Sequence, residues 1–287
     1  MDDHSNRAGD QGVSRREFAA ISAGGVAAAA VGAEAQAAGA VVERDVEIKT
    51  PDGTADAAFF HPSGNGPWPG VLLWADAFGL RPAMRDMGKR LAAEGYAVLV
   101  PNPFYRTRKA PVFSRPMDFA VPADREEIGK VMGTLNQDTA FKDGAAFIAW
   151  LDQQPQVSKR AKLGVQGYCM GGPLTVRTAS LSDRVGAGAS FHGGGLVTQA
   201  PDSPHLLAPK IKAQMLFAVA KNDDERDPQA KVTLKQAMDA AKVANKVEVY
   251  PSQHGWCVKD MAGGIYDEAS AEKAWGELLA LYKRALV

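Results

Sequence analysis

From residue 41 onward the apolar positions follow two alternating periods. Val41–Lys49 alternates apolar and polar residues, Pro51-Asp52-Gly53 carries turn chemistry, and Ala55–Phe60 reads as the return strand of a hairpin. Val71–Trp74 is a short apolar run behind Pro67-Trp68-Pro69-Gly70, as in a strand buried on both faces. Pro82–Glu94 switches to helical spacing through Met84, Met87, Leu91 and Ala92 and stops at Gly95. Tyr96–Val100 is strand-like again and ends at Pro101. Residues 102–136, rich in prolines and charges, are expected to hold no core element and to form a lid or a substrate-facing excursion. Beyond them the spacing predicts helices over Asp138–Gln153, Leu174–Leu181, Gln229–Val243 and Ala269–Leu286. It predicts strands over Lys162–Gln166, Gly188–Phe191, Gln214–Ala220 and Val247–Tyr250. Strands separated by helix-length segments, with no repeat or linker, predict one α/β domain: a mostly parallel sheet with helices on both faces.

Composition narrows the function classes. Lys+Arg and Asp+Glu are 33 each, so there is no basic excess of the kind a nucleic-acid binder shows. A chain of 287 residues buries roughly 75% of its unfolded surface, enough for one core without metal or disulfide staples. The two cysteines, Cys169 and Cys257, make neither a disulfide scaffold nor a CxxC zinc site. There is no H-E-x-x-H, no metal-spaced His/Cys cluster and no G-x-x-x-x-G-K-[ST] loop, so no metal or cofactor is expected. His192-Gly193-Gly194-Gly195 reads as strand-end glycines beside an active site rather than as a phosphate cradle.

The first 37 residues read as an address. Ser14-Arg15-Arg16-Glu17-Phe18-Ala19 resembles the twin-arginine export motif, an uncharged Ala- and Gly-rich run spans 18–33, and Ala35-Gln36-Ala37 is a small-residue cleavage pattern. The run is shorter than the roughly 20 residues needed to cross a bilayer, so no stable membrane insertion is expected. Without residues 1–37 the chain has 30 basic and 28 acidic residues. The expectation is a signal over 1–37 and a periplasmic or secreted domain over 38–287.

The sharpest motif is Gly167-Tyr168-Cys169-Met170-Gly171-Gly172, between the apolar strand Leu163–Gln166 and a helical pattern. Strand, G-x-C-x-G, helix is the setting of a nucleophile elbow with cysteine in place of serine. Glycines are needed where strand and helix backbones approach too closely for side chains. The turn also sets the sulfur at a helix N-terminus, whose partial positive charge favours an anion, with the Met170 N–H toward the oxyanion formed on attack. In a nucleophile–acid–histidine order the histidine follows the last strand. Of His4, His61, His192, His205 and His254, only His254 does. The acid should follow the preceding strand, in Lys221-Asn222-Asp223-Asp224; Asp223, nearer the strand end, is preferred, with Asp224 as competitor.

The pattern resembles the dienelactone hydrolase family of α/β hydrolases over most of residues 45–285. The resemblance is carried by Asp76-Ala77-Phe78-Gly79-Leu80-Arg81, the Arg90-Leu91-Ala92 helix, Gly95-Tyr96 through Pro101, the Cys169 elbow and His254-Gly255. It implies an α/β-hydrolase fold with Cys169 as nucleophile, Asp223 as acid, His254 as base, and the N–H groups of Met170 and Ala77 as oxyanion donors. Asp76 stands where studied members carry a thiol-modulating glutamate. The arginine that binds a substrate carboxylate corresponds to Arg106, and a second such arginine falls on Val258, beside Lys259. Arg81 is a further candidate for contact with a polar substrate group.

The expected function is hydrolysis of a small ester or lactone by a cofactor-free monomer, with both thiols free. The competing expectation is a thiol redox or sulfur-sensing protein using Cys169 and Cys257. Trp68, Trp74, Phe78 and Trp256 are candidates for lining the substrate pocket, with core packing the default for Trp74.

Overall fold

Each run read as a strand forms one in the computed structural model, which describes residues 40–287 together with Met1. The motif, apolar run and cleavage pattern of the expected export signal lie outside the described residues. The strands are β1 (Val41–Thr50), β2 (Gly53–Pro62), β3 (Gly70–Trp74), β4 (Ala97–Pro101), β5 (Leu163–Tyr168), β6 (Val185–Phe191), β7 (Gln214–Ala220) and β8 (Asn245–Tyr250). They form one sheet in the order β1-β2-β4-β3-β5-β6-β7-β8. β1 and β2 make the hairpin, β2 runs antiparallel to β4, and all later pairings are parallel. β3, β4 and β5 are buried at every position, which is why their sequences read as continuous apolar runs rather than alternating ones.

Helices cover both faces. α1 (Pro82–Ala93) starts with proline at its first turn and is followed by Gly95 at φ +95°. α3 (Gln137–Gln153) is capped reciprocally by Asn136 and Thr139, and α7 (Glu268–Ala285) by the Asp267 side chain. Between them lie α2 (Pro122–Met132), α4 (Gly171–Ala179), α5 (Lys221–Arg226) and α6 (Pro228–Ala240). Side chains along each strand alternate between two apolar layers, Leu72 and Trp74 joining Phe147 and Leu151 on one face, Val71 and Leu73 joining Leu91 and Leu278 on the other. No helix among the described residues is long and apolar enough to cross a membrane.

One expectation needs correction. Residues 102–136 do contain a core element: α2 buries Ile128 and Val131 against Ala77, Met117, Phe104 and Val112. Its apolar stripe is only two residues wide and Pro111, Pro116 and Pro122 crowd the approach, which hides the helical period. The acidic segment after β7 forms the short helix α5.

Candidate active site

The elbow is where the backbone departs most from ordinary geometry. Cys169 sits at φ +51°, a left-handed conformation that non-glycine residues rarely adopt. It is held there by its N–H donating to the Phe191 carbonyl and by its own carbonyl accepting from the Gly172 N–H, both at 3.0 Å. A Cβ at Gly167 would lie 2.1 Å from the Gly171 carbonyl oxygen, and one at Gly171 would lie 2.6 Å from that of Trp74. The strand–helix approach that turns the cysteine outward therefore requires both glycines.

Cys169 opens into a cavity of about 330 Å³ shared with Asp76, Ala77, Asp223 and His254. These five come from four places at the carboxyl ends of the strands: the turn after β3, the elbow after β5, α5 after β7 and the loop after β8. His254 Nδ1 lies 2.5 Å from Asp223 Oδ2, and the His254 backbone N–H donates to Asn222 Oδ1 at 2.8 Å. Burial opposes a charged imidazole here. The hydrogen-bonded Asp223 carboxylate and the nearby Cys169 side chain outweigh it and push the His254 pKa up to about 10. Asp224 is engaged elsewhere, both its oxygens accepting from Lys231 at 2.5 and 2.7 Å. Ala77 lines the cavity, and the N–H groups of Ala77 and Met170 donate to no acceptor among the described residues. The Met170 side chain packs against the α2 cluster.

The two arginines expected on the substrate are not on the cavity wall. Arg106 is taken by the fully buried Asp143 at 2.7 and 2.8 Å and by Asp52 at 2.8 and 3.1 Å. Arg81 is held between Asp76 and Asp260. Both guanidinium groups are paired with carboxylates, and the structure does not bring either to this cavity. Asp76 differs from the thiol-modulating role in the same way: it makes its hydrogen bonds to Arg81 and the Phe78 N–H and none to Cys169. Val258 is buried and Lys259 lines a different cavity. Of the aromatic candidates, Phe78 reaches the pocket. Trp74 and Trp256 are core, and Trp68 stacks on His61.

The structure adds residues that the sequence reading did not assign. Phe119, Met117, Met261 and Ile265 supply apolar wall, and Arg226, which donates to Asp223 Oδ1 at 2.8 Å, is the one Lys or Arg among the described lining residues. His192 also lines the cavity, at φ +40°, packed edge-on to the rings of His254 (5.1 Å) and Trp256 (5.0 Å). Burial, reinforced by the charge of His254, holds its pKa well below the usual histidine value, so it is a neutral plate. Its position at the end of a strand neighbouring the elbow was the available signal. Among the described residues no group of three His, Cys, Asp or Glu is arranged to hold a metal ion. Both cysteines are free. Cys257 opens into a separate cavity of about 600 Å³ between α1 and α7, and burial pushes its thiol well above the usual range.

Residues 55–286 match the dienelactone hydrolase family. A Synechocystis sp. protein named "Putative carboxymethylenebutenolidase" is 30% identical over 230 residues, covering 78% of this chain and 89% of its own. The carboxymethylenebutenolidase of Pseudomonas putida is 26% identical over 166 residues, covering 58% of this chain and 67% of its own. In fold, a dienelactone hydrolase-like promiscuous phosphotriesterase from metagenomic libraries superposes with a TM-score of 0.70 at 22% identity, covering 87% of this chain and all of its own. With the match to the family spanning strands β3 to β8 and all four segments that meet at the cavity, the chain belongs to the dienelactone hydrolase family.

Proposed function

We propose that the protein hydrolyses a small ester or lactone with Cys169 as nucleophile, His254 as proton carrier and Asp223 as the acid that orients His254. The observation that carries this reading is the convergence of the three side chains on one cavity, with Cys169 on its strained elbow and His254 Nδ1 2.5 Å from Asp223 Oδ2. With the thiol proton already transferred to the His254 imidazole, the Cys169 thiolate attacks the carbonyl carbon and the carbonyl electron pair moves onto oxygen. That oxyanion is received by the N–H groups of Ala77 and Met170. Collapse re-forms the carbonyl and breaks the bond to the leaving oxygen, which takes the proton from His254. A thioester remains. His254, now neutral, removes a proton from water as it attacks, and collapse of the second oxyanion releases the acid and returns sulfur and imidazolium to their starting state.

A cavity of about 330 Å³ stands near the lower end of the range for small-molecule sites and has mainly apolar walls, which favours a compact substrate. Carboxymethylenebutenolidase activity, borne in name by the relatives, is one such lactone hydrolysis. The twin-arginine-like motif supports export of the folded enzyme. The deciding experiment compares wild type with Cys169→Ala on short 4-nitrophenyl esters and enol lactones. Wild type should release a burst of nitrophenolate equivalent to the enzyme, and the variant should fall to background. Turnover by Cys169→Ala at the wild-type rate overturns the proposal.

A further inference from the structure

Arg81 holds together the two loops that wall the cavity. Its Nη1 and Nη2 donate to Asp76 Oδ1 and Oδ2 at 2.6 and 2.9 Å, and its Nε and Nη2 donate to Asp260 Oδ2 and Oδ1 at 2.8 and 2.7 Å. The Arg81 side chain is 13% exposed and that of Asp76 is 2% exposed, so the inner half of this clamp is shielded from solvent. The Phe78 ring lies 5.2 Å from the guanidinium carbon. Asp76 also fixes the turn around itself: its Oδ1 accepts from the Phe78 N–H at 2.9 Å and its carbonyl from the Gly79 N–H at 3.0 Å. The Ala77 N–H belongs to the peptide unit that begins at Asp76, so whatever holds Asp76 sets the direction of that N–H. Asp260, on the other side, lies in the loop that descends from His254 and supplies Met261 and Ile265 to the cavity.

We propose that Arg81 is a positioning residue for the oxyanion: by gripping Asp76 and Asp260 at once, it fixes the Ala77 N–H relative to Cys169. The inference rests on the reading above, in which the Ala77 N–H receives the oxyanion. A planar fork with donors on two edges can serve two carboxylates bidentately, whereas an ammonium is a single point charge that cannot. The charge alone is therefore not sufficient. The effect also falls only on the steps that build an oxyanion, because the donor matters when the carbonyl oxygen becomes an anion and not when the sulfur reacts at a centre without one.

The test uses Arg81→Lys, which keeps the charge, and Asp260→Asn, which cuts the outer half of the clamp at a residue 43% exposed and leaves the buried pair intact. Three quantities are read on each full-length enzyme. They are kcat and KM for 4-nitrophenyl acetate, the rate of Cys169 alkylation by iodoacetamide, and the protection of Cys169 from that reagent by an aryl trifluoromethyl ketone, which forms an oxyanion adduct. Loss or misplacement of one oxyanion donor costs about 100-fold or more. For Arg81→Lys we expect kcat to fall by about 100-fold with KM within about twofold. For Asp260→Asn the fall is about tenfold. In both, ketone affinity falls with kcat while iodoacetamide alkylation stays at the wild-type rate. Wild-type kcat and ketone affinity in both variants overturn the assignment. So does alkylation that falls in step with kcat, since Arg81 would then act on the thiol or on the fold. A wild-type enzyme that fails to hydrolyse the ester sinks the proposed function instead, and the ketone-against-alkylation comparison still judges Arg81.

Discussion

Replacing Asp223 by Asn removes the charge that opposes the His254 imidazolium while keeping the shape of the side chain. The His254 Nδ1 to Asp223 Oδ2 contact is 2.5 Å, which puts the charge centres roughly 4 Å apart. At an effective dielectric of 20 that separation is worth about 4 kcal/mol. The His254 side chain is 25% exposed and Arg226 already draws on the other Asp223 oxygen, so about half of this, roughly 2 kcal/mol, is a fair expectation. One pKa unit corresponds to about 1.4 kcal/mol, so Asp223→Asn should lower the His254 pKa by about 1.5 units from its value of about 10. The assay is NMR titration of histidine-labelled protein from pH 5 to 11, with the His254 signal identified by its loss in His254→Gln. Of the five histidines, His192 should show no titration above pH 6 in either protein. A His254 midpoint that stays within half a unit of wild type in Asp223→Asn would refute the claim that this carboxylate sustains the imidazolium.

The same pair links to stability. In a Cys169→Ala background, the Asp223 contribution keeps the folded-state pKa of His254 above its unfolded value near 6.5. The added stability is then complete below pH 6.5 and disappears as pH rises through the folded pKa, so urea midpoints should fall over that window and Asp223→Asn should flatten the fall. Gly167→Ala drives a methyl into the Gly171 carbonyl; we expect at least about 3 kcal/mol of destabilisation or no folded protein, measured by urea unfolding, and a wild-type midpoint would contradict the elbow packing. Arg106→Ala strands the buried Asp143 and should cost about 3 kcal/mol, yet leave the ratio of kcat/KM for esters with and without a carboxylate unchanged; a selective loss of the carboxylate-bearing ester would restore Arg106 to substrate binding.

The sheet was legible because its inner strands are short and buried on both faces, so the apolar runs could be placed almost to the residue. That Cys169, Asp223 and His254 meet at one cavity was legible for a related reason, as each follows a strand directly and the loop leaves little freedom in where it starts. What failed was the reading of charge. Arg81 and Arg106 read as substrate contacts because a sequence does not show which carboxylates return from 37 and 179 positions away. Asp143 and Asp260 do so, and only the fold brings them. α2 was missed because Ile128 and Val131 make too narrow a stripe to stand out from flanking prolines. His192 was seen but not assigned, since its relation to His254 is a packing contact between β6 and the loop after β8, and no spacing rule encodes it.

The order in which the sheet is written along the chain has a consequence for biosynthesis. The cysteine elbow follows β5, near the middle of the polypeptide, but Asp223 comes only after β7 and His254 only after β8. The α7 helix that closes behind them, whose Tyr282 hydroxyl donates to Gln166 of β5 at 3.0 Å, comes last of all. A growing chain therefore completes the Cys169 elbow many residues before Asp223 and His254 are made, and the cavity they share is assembled only when the final strand docks.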